Sequence, residues 1–214
     1  MAIEQVNHVA LTLEEQLPIW LIVIPFVAAP LILLFGNKGL AWAVSFLATA
    51  FSLAISVILV LTLKDGGVIS YHIGGWAPPI GIEYRIDATN ALILMLISLI
   101  ATVALPYAYR SVISEINPKH HTLFYASYML CFTGLMGIVV TGDAFNIFVF
   151  LEISSLATYI LVAMGAYKDK RALTAAYDYL ILGTIGATFF VIGIGFLYMA
   201  TAVSYTHLTL PTKA

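Results

Sequence analysis

Apolar residues run along this chain in six long blocks, at 17–35, 39–63, 88–109, 122–141, 144–166 and 172–202, with the polar residues gathered between them. A helix needs about 20 mostly apolar residues to cross the hydrocarbon core of a bilayer, and these blocks have that length. No water reaches that core, so a spanning segment must satisfy its backbone groups internally, as a helix does. The pattern therefore predicts an all-α, polytopic transmembrane bundle of about six spans. The first block carries Pro18, Pro25 and Pro30, which remove helical hydrogen bonds, and it is expected to be the least regular. The sixth is long enough to tilt or to extend past the bilayer.

One connection is long. Residues 64–87 include the run GGWAPPIGIEY at 74–84, whose Gly and Pro density and alternating character predict a short external hairpin or cap between the second and third spans. Residues 1–16 are polar and contain Glu4, Glu14 and Glu15, the opposite of the basic start of a signal peptide. They are read as a polar external N-terminus ahead of a retained first span. The transmembrane domain proper is 17–202, a portion of a larger bundle. Residues 203–214, VSYTHLTLPTKA, depart from everything before them and read as non-native read-through, so no function is assigned to them.

Composition excludes a water-soluble domain: 62% of the residues are hydrophobic and 9% are charged, against roughly a quarter charged in globular domains. Lys38, Arg110, Lys119, Lys168, Lys170 and Arg171 fall in the connections of one side, and only Lys64 and Arg85 on the other. Because positive residues stay cytoplasmic, this distribution predicts a multi-pass protein of the cell inner (plasma) membrane with its N-terminus outside. A net charge of -2 with basic residues in short clusters argues against nucleic acid. The single cysteine, Cys131, excludes a disulfide framework and a Cys-based metal centre. There is no GxxxxGK[ST] loop for ATP and no histidine inside an apolar block to ligate haem, so no cofactor or metal is expected.

Nine of the eleven acids lie in loops, tails or span edges. Glu152 does not. It is the ninth residue of the block beginning at Ala144, about 12 Å along a helix. An acid at that depth costs on the order of 2.5 to 3.5 kcal/mol on insertion scales, and desolvation favours its neutral form. Ser155 and Tyr159 follow at i+3 and i+7, drawing a narrow polar stripe on an otherwise apolar helix. One reading is a carboxyl that loads and releases a proton, or that pairs with a lysine on another helix. The other is a protonated Glu152 that merely bridges two spans by a hydrogen bond. An intramembrane acid is a functional candidate by default.

Asp178 lies about two turns into the sixth span, where a helix N-terminus and nearby water stabilise an acid, and Thr174 shares its face. It is a candidate for the proton path and equally an edge-of-membrane carboxylate. His120 and His121 sit beside Lys119 in what reads as a solvated loop. Gly183, Gly186, Gly193 and Gly195 read as helix-packing positions, with Gly183 and Ala187 forming a small-xxx-small pair.

Two segments carry a family resemblance. GGWAPPIGIEYRIDATN at 74–90 is similar to the loop and following helix start of the proton-conducting membrane transporter family, and GDAFNIFVFLEISSLATYILVA at 142–163 resembles its fifth helix. That family contains the D subunit of Mrp-type cation/proton antiporters and the antiporter-like subunits of respiratory complex I, and the resemblance is nearer to the former. It implies that Glu152 is the family's membrane glutamate, working with a buried lysine on a seventh helix beyond residue 202. Many relatives also have a lysine in a sixth-helix segment of the AAFKYL type, whereas this chain reads AAYDYL at 175–180.

The resemblance implies a proton-conducting subunit of a multisubunit monovalent cation/proton antiporter, handling protons with Na+ or K+ and assembling with other membrane subunits in the lipid bilayer. Its rivals are an antiporter-like subunit of a redox-driven pump, such as an NADH:quinone oxidoreductase or a membrane-bound hydrogenase, and a non-conducting scaffold. As a transporter subunit it carries no catalytic chemistry of its own.

Overall fold

The computed structural model describes residues 13–76 and 81–201, so most of the polar N-terminus and the 203–214 tail lie outside the described residues. Six long helices follow one another: α1 (Leu13–Phe35), α2 (Lys38–Leu63), α3 (Ala88–Glu115), α4 (His121–Val140), α5 (Ala144–Met164) and α6 (Arg171–Thr201). All six are long and apolar enough to cross a membrane. This is a multi-pass membrane protein with a helical-bundle fold.

Local signals set the helix starts. Asn37 caps α2 by accepting from the Gly39 N–H at 3.0 Å, and Asp87 caps α3 by accepting from the Asn90 N–H at 2.8 Å. Between α2 and α3, strands β1 (Ile69–His72) and β2 (Glu83–Ile86) pair antiparallel, with Tyr71 opposite Tyr84 and His72 opposite Glu83.

The core lies among α1, α2, α3 and α4, where Leu21, Leu59, Leu94, Met129 and Met136 are fully buried. α3 packs on α2, α5 on α4, and α6 on α5, leaving most of α6 exposed. α2 also buries Ser45, Thr49, Ser52 and Ser56, each bonding the carbonyl four residues back at 2.8–3.1 Å. Their hydroxyls are thus satisfied within their own helix and cost little to bury.

Two contacts fix which connections share an end of the bundle. The Lys168 ammonium meets the Glu115 carboxylate at 2.9 Å, placing the α5–α6 connection beside the end of α3. At the opposite end, Tyr84 of β2 bridges to Thr141, and the Gly142 N–H donates to the Glu83 carbonyl at 2.9 Å.

Three expectations change. α1 runs unbroken through Pro18, Pro25 and Pro30, because a break inside hydrocarbon would expose more backbone than the prolines themselves do. α3 continues past residue 109 to Glu115, its last turns carrying Arg110, Ser114 and Glu115 with exposed side chains. His121 is not a solvated loop residue: it opens α4, is 4% exposed, and its Nε2 lies 3.1 Å from the Ile116 carbonyl. His120 beside it is exposed.

Candidate functional site

α5 is pinned at its start. The Asp143 carboxylate accepts from the Phe145 N–H at 3.2 Å, and the Asn146 amide donates to the Thr141 hydroxyl at 2.9 Å. Tyr84 closes this end from the hairpin, 4% exposed and in hydrogen-bonding contact with the Asn146 side chain. Burial pushes the Tyr84 phenol up to about 12, with the Asn146 hydrogen bond opposing the rise and the Tyr71 phenol adding to it.

One face of α5 is committed to α4. Phe150, Ser154 and Ala157 are buried there, and two glycines of α4 allow the approach. A β-carbon on Gly134 would lie 2.7 Å from the Phe150 carbonyl oxygen and from the Ser154 backbone, and one on Gly137 would run into the Phe150 ring. Cys131 sits 3.4 Å from the Thr158 hydroxyl and 3.8 Å from the Ser154 hydroxyl, making a small polar cluster inside this interface.

Glu152 stands two residues from both Phe150 and Ser154, which at about 100° per residue puts it on the opposite side of α5. Ser155 and Tyr159 share that side. Tyr159 is buried against α6, its hydroxyl against Gly183 and its ring edge-on to Tyr179 with centroids 5.1 Å apart. Glu152 and Ser155 are half-buried nearer the α5 start. α6 runs antiparallel to α5, so its next buried positions towards Glu152 are Ala187 and Ile194, both apolar. Among the described residues Glu152 makes no hydrogen bond or ion pair. No fully enclosed side-chain oxygen there lacks a partner, so its carboxyl is reachable from outside the packed helices.

Thr174 and Tyr159 line one groove of about 550 Å³ between α5 and α6, together with Ala176, Tyr177 and Leu180. Asp178 does not join Glu152: its side chain is exposed on α6. Of the four α6 glycines only Gly183 packs, since Gly186, Gly193 and Gly195 have no atom near where a β-carbon would stand.

Residues 141–212 match the transmembrane family of NADH:quinone oxidoreductase and Mrp antiporter subunits. Over 192 residues the chain is 39% identical to the N subunit of the NADH-quinone oxidoreductase of Desulforudis audaxviator, covering 88% of this chain and 38% of that protein. It is 32% identical over 182 residues to the D subunit of the Na(+)/H(+) antiporter of Bacillus subtilis, covering 84% and 36%. Similarity to subunits of these two kinds thus runs through most of this chain. The fold agrees: a chain of the membrane-bound sulfane sulfur reductase, an archaeal respiratory membrane complex, superposes with a TM-score of 0.81 at 29% identity, over 89% of this chain and 38% of that one. The chain thus spans little more than a third of the length of these relatives. The resemblance in sequence puts the antiporter D subunits nearer, whereas these two identities run the other way, 39% against 32%.

Sequence reasoning missed the Cys131, Ser154 and Thr158 cluster and the Tyr84, Asn146 and Thr141 network. Ser154 and Thr158 at i and i+4 signal the first. The second joins residues about 60 apart in the chain, with no local signature.

Proposed function

We propose that this chain is an antiporter-like, proton-conducting membrane subunit of a multisubunit complex, with Glu152 as the group that takes up and releases the proton. The observation that carries this is Glu152 itself: an acid near mid-span, half-buried, with no hydrogen bond or ion pair among the described residues. A carboxyl kept only to bridge two spans would be expected to hold such a bond. A carboxyl that exchanges a proton needs to be reachable and free to change charge. Ser155 and Tyr159 extend its face towards α6, and the groove bearing Tyr159 and Thr174 continues along the same helix pair. Asp178 is a separate, exposed candidate for proton delivery near the start of α6.

Other membrane subunits are its partners, and Na+ or K+ the exchanged ion, in a plasma membrane with the N-terminus outside; the bias of Lys and Arg towards one set of connections supports that orientation. In the full-length protein within its complex, Glu152→Gln should abolish proton-coupled exchange in inverted vesicles while assembly is retained, and Glu152→Asp should keep part of it. Unchanged exchange in Glu152→Gln would remove Glu152 from the mechanism.

A second reading is favoured by the 39% identity to an NADH-quinone oxidoreductase subunit: the same proton chemistry driven by electron transfer. Exchange of Na+ or K+ for protons without an electron donor supports the antiporter. Proton movement that requires a donor and an acceptor supports the redox-driven pump.

A further inference from the structure

At the bundle end that carries Lys38, a cavity of about 260 Å³ opens between α2, α3 and α4. Its polar lining is Lys38, Tyr109, His121 and Tyr125, and Val112 and Ile113 supply an apolar wall. His121 bonds the Ile116 carbonyl through Nε2. A carbonyl only accepts, so Nε2 carries the hydrogen, and in that tautomer Nδ1 is an acceptor. Among the described residues Nδ1 has no partner.

Tyr125 is 2% exposed, and its hydroxyl makes no hydrogen bond with a described residue. Buried tyrosine hydroxyls normally find a partner. Because no fully enclosed side-chain oxygen is left unsatisfied among the described residues, the Tyr125 hydroxyl must open to the cavity that it lines. Lys38 has no acidic partner there, since Glu115 is taken by Lys168 at 2.9 Å. Lys38 is also the first residue of α2, whose N-terminus favours an anion.

The cavity thus offers a cation, two phenol donors and one imidazole acceptor beside an apolar wall. We propose that it binds a phosphate ester bearing a free hydroxyl. The phosphate oxygens accept from Lys38, Tyr109 and Tyr125, and the ligand hydroxyl donates to His121 Nδ1. The volume is just under the roughly 300 Å³ at which small-molecule sites begin, which suits a headgroup more than a large ligand. The chemistry is that of a glycerol phosphate, either as the headgroup of phosphatidylglycerol or as a soluble ester. The site is separate from Glu152, and neither proposal depends on the other.

Native mass spectrometry of the purified, full-length protein tests it, with phosphatidylglycerol and phosphatidylethanolamine offered at equal concentration. Phosphatidylglycerol should be preferred, and Lys38→Gln or Tyr125→Phe should each weaken it by about tenfold, as the loss of a hydrogen bond to a charged group does. Tyr125→Phe removes a single oxygen and keeps the ring, and an unchanged melting midpoint in lipid-free detergent shows that the fold is intact. Displacement by glycerol 1-phosphate identifies a soluble ester as occupant, and its failure to displace identifies the lipid. No preference between the two lipids, or undiminished binding in both variants, overturns the proposal.

Discussion

The hydroxyl of Tyr159 rests against the backbone of Gly183, in the space that a β-carbon at position 183 would occupy. This contact docks α6 on the same face of α5 that carries Glu152 and Ser155. Gly183→Ala should therefore loosen α6, costing about 1–3 kcal/mol as overpacking does. Tyr159→Phe removes the obstructing oxygen, so the double variant should be less destabilised than the sum of the two single ones. A double-mutant cycle on thermal melting checks this, and strict additivity would mean that the two residues are not in contact.

The α4–α5 interface has less room to adjust. Gly134 faces the backbone of Phe150 and Ser154, which cannot rotate away as a side chain can. Gly134→Ala should lower the melting midpoint clearly, whereas Gly186→Ala on open α6 should leave it unchanged or raise it slightly, since alanine favours the helix.

Tyr84 gives the hairpin a pH limit. Its folded-state value of about 12 lies above the ordinary 10.0 of a tyrosine, so the folded protein holds the phenol proton more tightly than the unfolded chain. The stabilisation is complete below pH 10, falls as the pH rises, and is lost through about 12. Melting midpoints measured across that window should decline less steeply in Tyr84→Phe than in the parent. Parallel curves would show that Tyr84 does not ionise late.

Glu115 and Lys168 join two connections, but both side chains are well exposed, at 49% and 64%. Water screens such a pair, and double-mutant cycles of similar pairs give about 0–1 kcal/mol. Glu115→Gln should change the melting midpoint little, and added salt should erase any difference.

The helices were legible because hydrocarbon imposes a single rule, long apolar blocks, and that rule survives without tertiary context. Helix ends were less so: residues 110–115 carry Arg110, Ser114 and Glu115 and read as loop, although a helix extends past the apolar layer once long side chains reach water. α1 kept its regularity through three prolines because a break inside hydrocarbon would expose still more backbone, a cost that the prolines themselves do not signal. The face shared by Glu152, Ser155 and Tyr159 follows from helical spacing alone. Which helix covers it does not, and neither does the exposure of Asp178, because both depend on the side of α6 that meets α5. His121 shows the same limit, since its burial arises from the cavity formed by three helices and from the Ile116 carbonyl.

If Glu152 carries the moving proton, its carboxyl must change protonation state during turnover. Reaction-induced infrared difference spectroscopy of the full-length protein in its complex observes that change directly, through the carbonyl stretch of a protonated carboxylic acid. A band should appear or disappear when the ion or redox gradient is applied, and it should be missing in Glu152→Gln. The same band persisting undiminished in Glu152→Gln would rule out Glu152 as the proton carrier.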